Sequence, residues 1–299
     1  MSEIDVPRVA PPTEVTSPTR EPHRFGLLSA ANVVAEPEQR FQLGVYWEPI
    51  GCEPAGSIAG DCFDAAAVEE GEGGEDGGEG TAGYPLEPTS GVGPLASGDP
   101  FAVYGSYDCS AFSRSLDEAE IRARQHLAAW EEVEVERAIA AGDRSNRTSF
   151  QGATVLGTGL SVVEGVAVLE GHIGTEYGAL GVIHAPRSIG ALGHNQRAWR
   201  RHNSRLETEL GNYVVAGAGY DLASVGPDGT PTPDGTAWLY ATSLPVVRRS
   251  DVWVTPDPKF RPQVTNNDVT VFAWRIYVVA WECVTAAVLV DAAAVGGEG

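Results

Sequence analysis

RSLDEAEIRARQHLAAWEEVEVERAIAAG, residues 114–142, carries the one long helical signal of this 299-residue chain. Ser115 followed by Glu118 has capping-box spacing, in which the serine oxygen and the glutamate carboxylate satisfy two orphaned backbone N–H groups. A helix is therefore predicted to start at Ser115. Leu116, Ala119, Ala123, Leu127 and Trp130 recur at i, i+3 or i+4, and Ile121, Ala128 and Val135 form a second apolar strip. Glu118 with Arg122, and Glu120 with Arg124, set opposite charges one turn apart on a wet face. Gly142 supplies the stop. At 1.5 Å per residue such a helix is a rod of roughly 40 Å, long enough to span a whole subunit.

Upstream of the rod the chain reads as extended. Residues 1–24 are rich in Pro, Thr and Glu and lack periodicity, which predicts an arm; FGLLSAANVV, residues 25–34, is apolar enough to dock it. FQLGVYWEPI (41–50) and FAVYGSYDC (101–109) alternate large and small residues as strands do. Between them, residues 69–87 hold seven acidic side chains and no basic one, interleaved with glycine. Such a segment buries too little apolar surface to offset its ordering entropy, so a solvated tip is expected. The calcium-loop pattern Asp-x-Asp-x-Asp-Gly is missing from it. Residues 40–110 thus read as a long two-stranded arm, and an isolated two-stranded ribbon is marginal in water unless it lies against something.

Downstream the pattern is mixed. Residues 143–159 read as a loop. Ser161 and Glu164 form a second capping box, ahead of a stripe of Val162, Val163, Val166, Leu169, Ile173 and Tyr177. GVIHA (181–185) is a short buried strand, residues 188–201 are helical in part, and 205–220 is a turn and strand running into a bend at Gly217. PDGTPTPDG (227–235) is strong turn chemistry before a strand at 237–247. VTVFAWRIYVVAWECVTAAVLV (269–290) predicts two long strands bent near Glu282.

Composition narrows the function. With 41 acidic and 20 basic residues the formal charge is −21, which disfavours a grip on nucleic acid through phosphate neutralisation. The longest apolar run, 278–290, is interrupted by Glu282 and falls short of the ~18 residues of a membrane span. The first residues lack the apolar core of a signal peptide, so cytoplasmic synthesis is expected. Cys52, Cys62, Cys109 and Cys283 leave three alternatives open: reduced thiols, a loop disulfide between Cys52 and Cys62 with Cys109 nearby, or a metal. No nucleophile elbow, phosphate loop or paired-histidine zinc motif occurs. His184, His194 and His202 are near in sequence, but an arginine-rich setting repels cations, and they read as ordinary hydrogen-bonded histidines. Lys259, the single lysine, has no base or Schiff-base surroundings. No enzyme, catalytic residue, cofactor or metal site is expected.

The order of parts resembles the major capsid protein of tailed bacteriophages and the related encapsulin shell proteins. The similarity is carried by that order and by EGHIGTEYGALGVIHAPRS (170–188), RLETELGNYVVAGAGYD (205–221), RRSDVWV (248–254) and RIYVVAWECVTAAVLVD (275–291). It implies an α+β, encapsulin-like fold: an N-terminal arm (1–40), an extended E-loop with an acidic Gly-rich tip (41–113), and a spine helix opening the peripheral domain (114–160). An α/β axial domain (161–250) and closing strands shared by both domains (251–299) complete it. The resemblance further implies a structural protein of the virion, assembled in the host cytoplasm as hexamers and pentamers of itself. It would enclose double-stranded DNA without reading its sequence, beside a portal and away from membranes.

Two departures are visible. Some members weld subunits through an E-loop lysine, and here residues 40–110 contain none, so a shell would be held noncovalently or by disulfides from Cys52, Cys62 or Cys109. The short stretch before Phe25 also implies a separate scaffolding protein. Inter-subunit contacts are expected from Phe41, Tyr46, Trp47, Tyr104 and Tyr107 on the arm, and from Arg197, Arg200 and Arg201. The competing readings are another virion component, such as a minor capsid, tail or decoration protein, and a cytoplasmic metal-dependent enzyme using the three histidines.

Overall fold

The computed structural model of the protein describes residues 21, 23–36, 41, 43–48, 52, 55, 96–110, 115–142, 149–255 and 268–292. Residues 1–20, the acidic segment 69–87, Cys62 and Lys259 lie outside them.

The rod is α2 (Leu116–Ala141), capped by both hydrogen bonds of the Ser115/Glu118 box and ended by Gly142 in the left-handed conformation at φ 63°. Its buried side is Ala119, Ala123, Leu127, Val133, Val135, Ile139 and Ala140. Trp130 and Ile121, placed by periodicity on apolar strips, are exposed instead. Small residues at 119 and 123 let a strand come close. That strand is β4 (Phe101–Ser110), where a Cβ on Gly105 would lie 2.5 Å from the Leu127 nitrogen.

β4 does not pair with the 41–50 segment, contrary to the two-stranded arm expected over 40–110. It runs antiparallel to β13 (Asp268–Ala280), from Phe101↔Tyr277 to Ser110↔Asp268. Phe101 and Val103 bury their side chains under α2, and that burial outweighs pairing within an isolated ribbon. Among the described residues the ribbon is β2 (Val45–Trp47) against β3 (Ala96–Gly98). On the other side of β13 lie β11 (Val246–Arg249) and β12 (Trp253–Thr255). β1 (Asn32–Ala35) adds in parallel to β11, after the single turn α1 (Leu27–Ala30). The FGLLSAANVV segment is thus docked, as its apolarity predicts.

The second sheet has seven strands. β5 (Thr154–Leu160), β14 (Thr285–Asp291), β10 (Thr236–Thr242), β6 (Val182–Pro186), β9 (Tyr213–Gly217), β8 (Arg205–Glu207) and β7 (Arg200–His202) follow in spatial order. β5 overturns the loop expected at 143–159 from Thr154 onward, while 143–148 lie outside the described residues. Gly157 and Gly159 hide its alternation, and its register to β14 shifts twice. The capped α3 (Val162–Glu176) packs Val166, Leu169 and Ile173 on one face, with α4 (Arg187–Asn195) beside it. The other face meets α2 and α5 (Ala218–Ala223) through Val182, Val215, Tyr240 and Ala287. Cover on both faces makes β6 and β9 nearly continuous apolar runs. α5 replaces the bend expected at Gly217, since Glu136 of α2 accepts the Gly219 N–H and holds that turn.

β13 and β14 are one chain passing from the first sheet to the second through residues 281–284. Cys283 there is bonded to Cys52, and Trp47 Nε1 donates to Glu282 Oε2 at 3.4 Å. At Cys52 and Cys283 both the reduced-thiol reading and the loop pairing of Cys52 with Cys62 therefore give way to a link across 231 residues, because β2 and β3 fold back onto the end of β13. Cys109 lies in β4, opposite Val269.

Candidate functional site

Polar groups in the interior are spent on structure. His184 is fully buried, with Tyr220 Oη 2.9 Å from Nδ1 and Thr242 Oγ1 2.9 Å from Nε2. Desolvation pushes its imidazole down to about 3, which keeps it neutral. His194 and His202 are exposed, and His202 Nδ1 pairs with Glu207 at 2.8 Å. Among the described residues no group of three His, Cys, Asp or Glu could hold a metal ion. No helix among them is long and apolar enough to cross a membrane.

The surface is more informative. β13 presents Val271, Ala273 and Tyr277 to α2 and turns Phe272, Trp274 and Ile276 outward. Phe272 meets Tyr104 of β4 edge-on, with ring centroids 6.0 Å apart, and Trp274 meets Trp253 of β12 at 4.6 Å. Tyr104 is 64% exposed and Phe272 39%. The far end of the same face is covered: a Cβ on Gly98 of β3 would sit 2.8 Å from Val278 Cγ1. One sheet face thus carries the chain's own ribbon at one end and open aromatic rings at the other.

The residues expected to make contacts fall in different places. Tyr46, at 76% exposure, projects from the ribbon. Trp47 is half-buried against Glu282, and Tyr107 is half-buried beneath the Arg122 guanidinium, 5.6 Å from its ring centroid. Phe41 is buried within the chain, which removes it from the exposed set. Arg197, Arg200 and Arg201 are all exposed, in and just before β7 at the outer edge of the seven-stranded sheet. Arg197 holds φ 61°, Arg200 pairs with Glu209 at 3.0 Å, and Arg201 lies 5.8 Å over Phe25. The structure therefore keeps the arginines together and disperses the aromatics over the ribbon, the sheet face and the interior. Phe272, Trp274 and Trp253 were missed as contact candidates; the i, i+2 alternation along β13 was the signal for the first two.

Neither a protein-family model nor a curated protein matches the sequence. Solved structures do match over nearly the whole chain. The capsid of a native GTA particle matches with a TM-score of 0.53 at 16% identity, over 96% of this chain and 96% of that one. The head of Helicobacter pylori bacteriophage KHP40 gives 0.52 at 9% identity, again over 96% of each. A structure from Microbacterium phage Oxtober96 gives 0.51 at 14% identity, over 95% of this chain and 96% of that one. The fold is that of phage capsid proteins. In this capsid fold α2, β4 and β13 form one layered unit and the seven-stranded sheet another, so the α+β class expected from the sequence is the one found.

Proposed function

We propose that the chain is a major capsid protein: the repeating tile of a closed icosahedral shell that encloses double-stranded phage DNA. The observation that carries this is the aromatic sheet face on which Tyr104 and Phe272 are exposed and Trp253 and Trp274 half-buried, continuous with the chain's own ribbon. Large apolar patches on a soluble protein mark interaction sites, and a patch repeated on every copy leads to closed symmetric assemblies. The whole-length capsid fold supports it, as does a charge of −21, which suits a wall that must release rather than bind the DNA inside. Hexamers and pentamers of this chain, a separate scaffolding protein and a portal are the partners this role entails, within a virion assembled in the bacterial cytoplasm.

Electron microscopy of the purified protein, alone and after co-expression with a scaffolding gene product, tests the proposal. Closed particles of uniform diameter are expected. A well-behaved 31.5 kDa monomer under every condition would overturn it.

A further inference from the structure

α2 places Glu132 and Glu136 one turn apart, facing the incoming N-terminal segment and α5. Glu136 accepts the Leu27 N–H on Oε1 at 3.0 Å and the Gly219 N–H on Oε2 at 2.9 Å, while Glu132 Oε1 accepts the Leu28 N–H at 2.9 Å. One turn of helix thus grips two stretches of backbone distant in sequence. Three glycines make the grip fit. A Cβ on Gly26 would collide with Glu132, one on Gly217 would sit 2.6 Å from Glu136 Cδ, and one on Gly219 would collide with the Val133 carbonyl.

Neither carboxylate has an ion-pair partner among the described residues, and Glu136 is 1% exposed. The charged and titratable groups around them are Glu131 on α2, Arg187 at the start of α4, and Tyr220 on α5. Arg187 is engaged with the carbonyls of Arg24 and Ala216. A cleft of about 620 Å³ opens beside Glu132 and Leu28, walled by His23, Arg24, Arg201 and Arg249, so solvent reaches Glu132, one turn from the buried Glu136.

We propose that Glu132 and Glu136 form a proton-operated latch on residues 25–31, seated while the pair holds a proton and loosened when both carboxyls ionise. Geometry sets the conflict: two carboxylates reach the same point beside Gly26 with backbone N–H groups between them, and the one nearby cation, Arg187, makes no ion pair with either and is spent on backbone carbonyls. Burial pushes both upward, Glu136 to about 7, with the charge of Glu132 adding to Glu136 and that of Glu131 adding to Glu132, while the backbone N–H bonds and the Arg187 guanidinium pull both the other way without cancelling the rise. A carboxyl raised on docking stabilises the docked state fully below its ordinary value of 4.5, and that stabilisation is lost as pH rises through about 7. The latch is therefore tight in mild acid and loose above neutrality.

Amide hydrogen exchange tests this on the intact protein, read as protection factors at pH 5 to 8 so that the intrinsic rate change cancels. The amides of Leu27, Leu28 and Gly219 are expected to lose about tenfold or more in protection between pH 5 and pH 7.5, then level off, while those of Val182 to Ala185 hold steady. Glu136→Gln should abolish the pH step. Glu132→Gln should move its midpoint to lower pH by removing the repelling neighbour, and this variant keeps the test intact if Glu136→Gln does not fold. Protection independent of pH in the parent protein, or an unmoved step in both variants, would overturn the latch.

Discussion

The Tyr220 hydroxyl lies 2.9 Å from His184 Nδ1, and the direction of that bond is fixed by the opposite side of the ring. Thr242 Oγ1 donates its proton to the Ser243 carbonyl at 2.8 Å, so it accepts from His184 Nε2–H, which leaves Nδ1 to accept from Tyr220. Both ring nitrogens are engaged, and Phe150 packs 4.9 Å from the imidazole centroid. A histidine in this state is a core residue joining β6, β10 and α5.

That bonding has a pH signature. A histidine whose value falls from 6.5 to about 3 on folding contributes stability above pH 6.5 that is lost as pH falls toward 3. Glu136 slopes the other way between 4.5 and about 7. The two oppose each other from pH 4.5 to 6.5, so thermal midpoints should change little there and drop below. His184→Gln should cost about 2–4 kcal/mol through lost packing and a stranded partner. It should also unmask the glutamate, making the variant more stable at pH 5 than at pH 7. A variant whose midpoint falls with acid as before would refute the assignment.

Gly105 and Gly190 make a matched pair. A methyl on Gly105 would press on the Leu127 backbone at 2.5 and 2.9 Å, where neither β4 nor α2 has a flexible side chain to yield. Gly105→Ala should therefore cost about 1–3 kcal/mol in a denaturant titration. A methyl on Gly190 of α4 would meet only Ala216 Cβ at 3.6 Å, so Gly190→Ala should be neutral or stabilising by up to about 1 kcal/mol. Equal effects at the two sites would contradict the close approach of β4 to α2.

Cys52 and Cys283 close a loop of 231 residues, for which chain-entropy arguments give at most about 5 kcal/mol of stabilisation. Reductant should lower the melting temperature of the parent protein and leave a Cys52→Ser, Cys283→Ser double variant unaffected. Peptide mapping without reduction should recover 52 joined to 283. A fragment joining Cys52 to Cys62 instead would restore the local loop that is one of the three alternatives the sequence leaves open.

The readable parts of this fold are those whose signals are local. Both capping boxes, the left-handed Gly142 and the apolar stripe of α3 are set by neighbours three or four residues away, and all were legible. What was lost depends on distant partners. β4 carries the same alternation whether it pairs with residues 41–50 or with β13, and its packing under α2, through Phe101, Val103 and Gly105, decides. The strand β5 was hidden by its glycines, and α5 by the dependence of its first turn on Glu136, 83 residues away. Glu132 and Glu136 look like a solvated helix face in sequence, because nothing local shows that Gly26 and Gly219 will close over them.

The exposed arginines offer the sharpest test of where tiles would meet in the proposed shell, because two of the three already have partners within the chain. Arg200 is held by Glu209 and Arg201 by the Phe25 ring and the Asn203 carbonyl, so their heads are fixed in direction rather than free. These exposed contacts contribute little to folding, typically below about 1 kcal/mol each. Changing Arg197, Arg200 and Arg201 together to Glu should accordingly leave the monomer's melting temperature nearly unchanged. If this edge of the seven-stranded sheet faces the same edge on neighbouring copies, six negative charges replace six positive ones per pair of tiles at close range, and unscreened like charges there cost several kcal/mol. Particle yield should then fall at least about tenfold in low salt and recover in part at high ionic strength. Unaltered yield and diameter in the triple variant would remove these arginines from the contacts and leave the aromatic face as the surface that binds tile to tile.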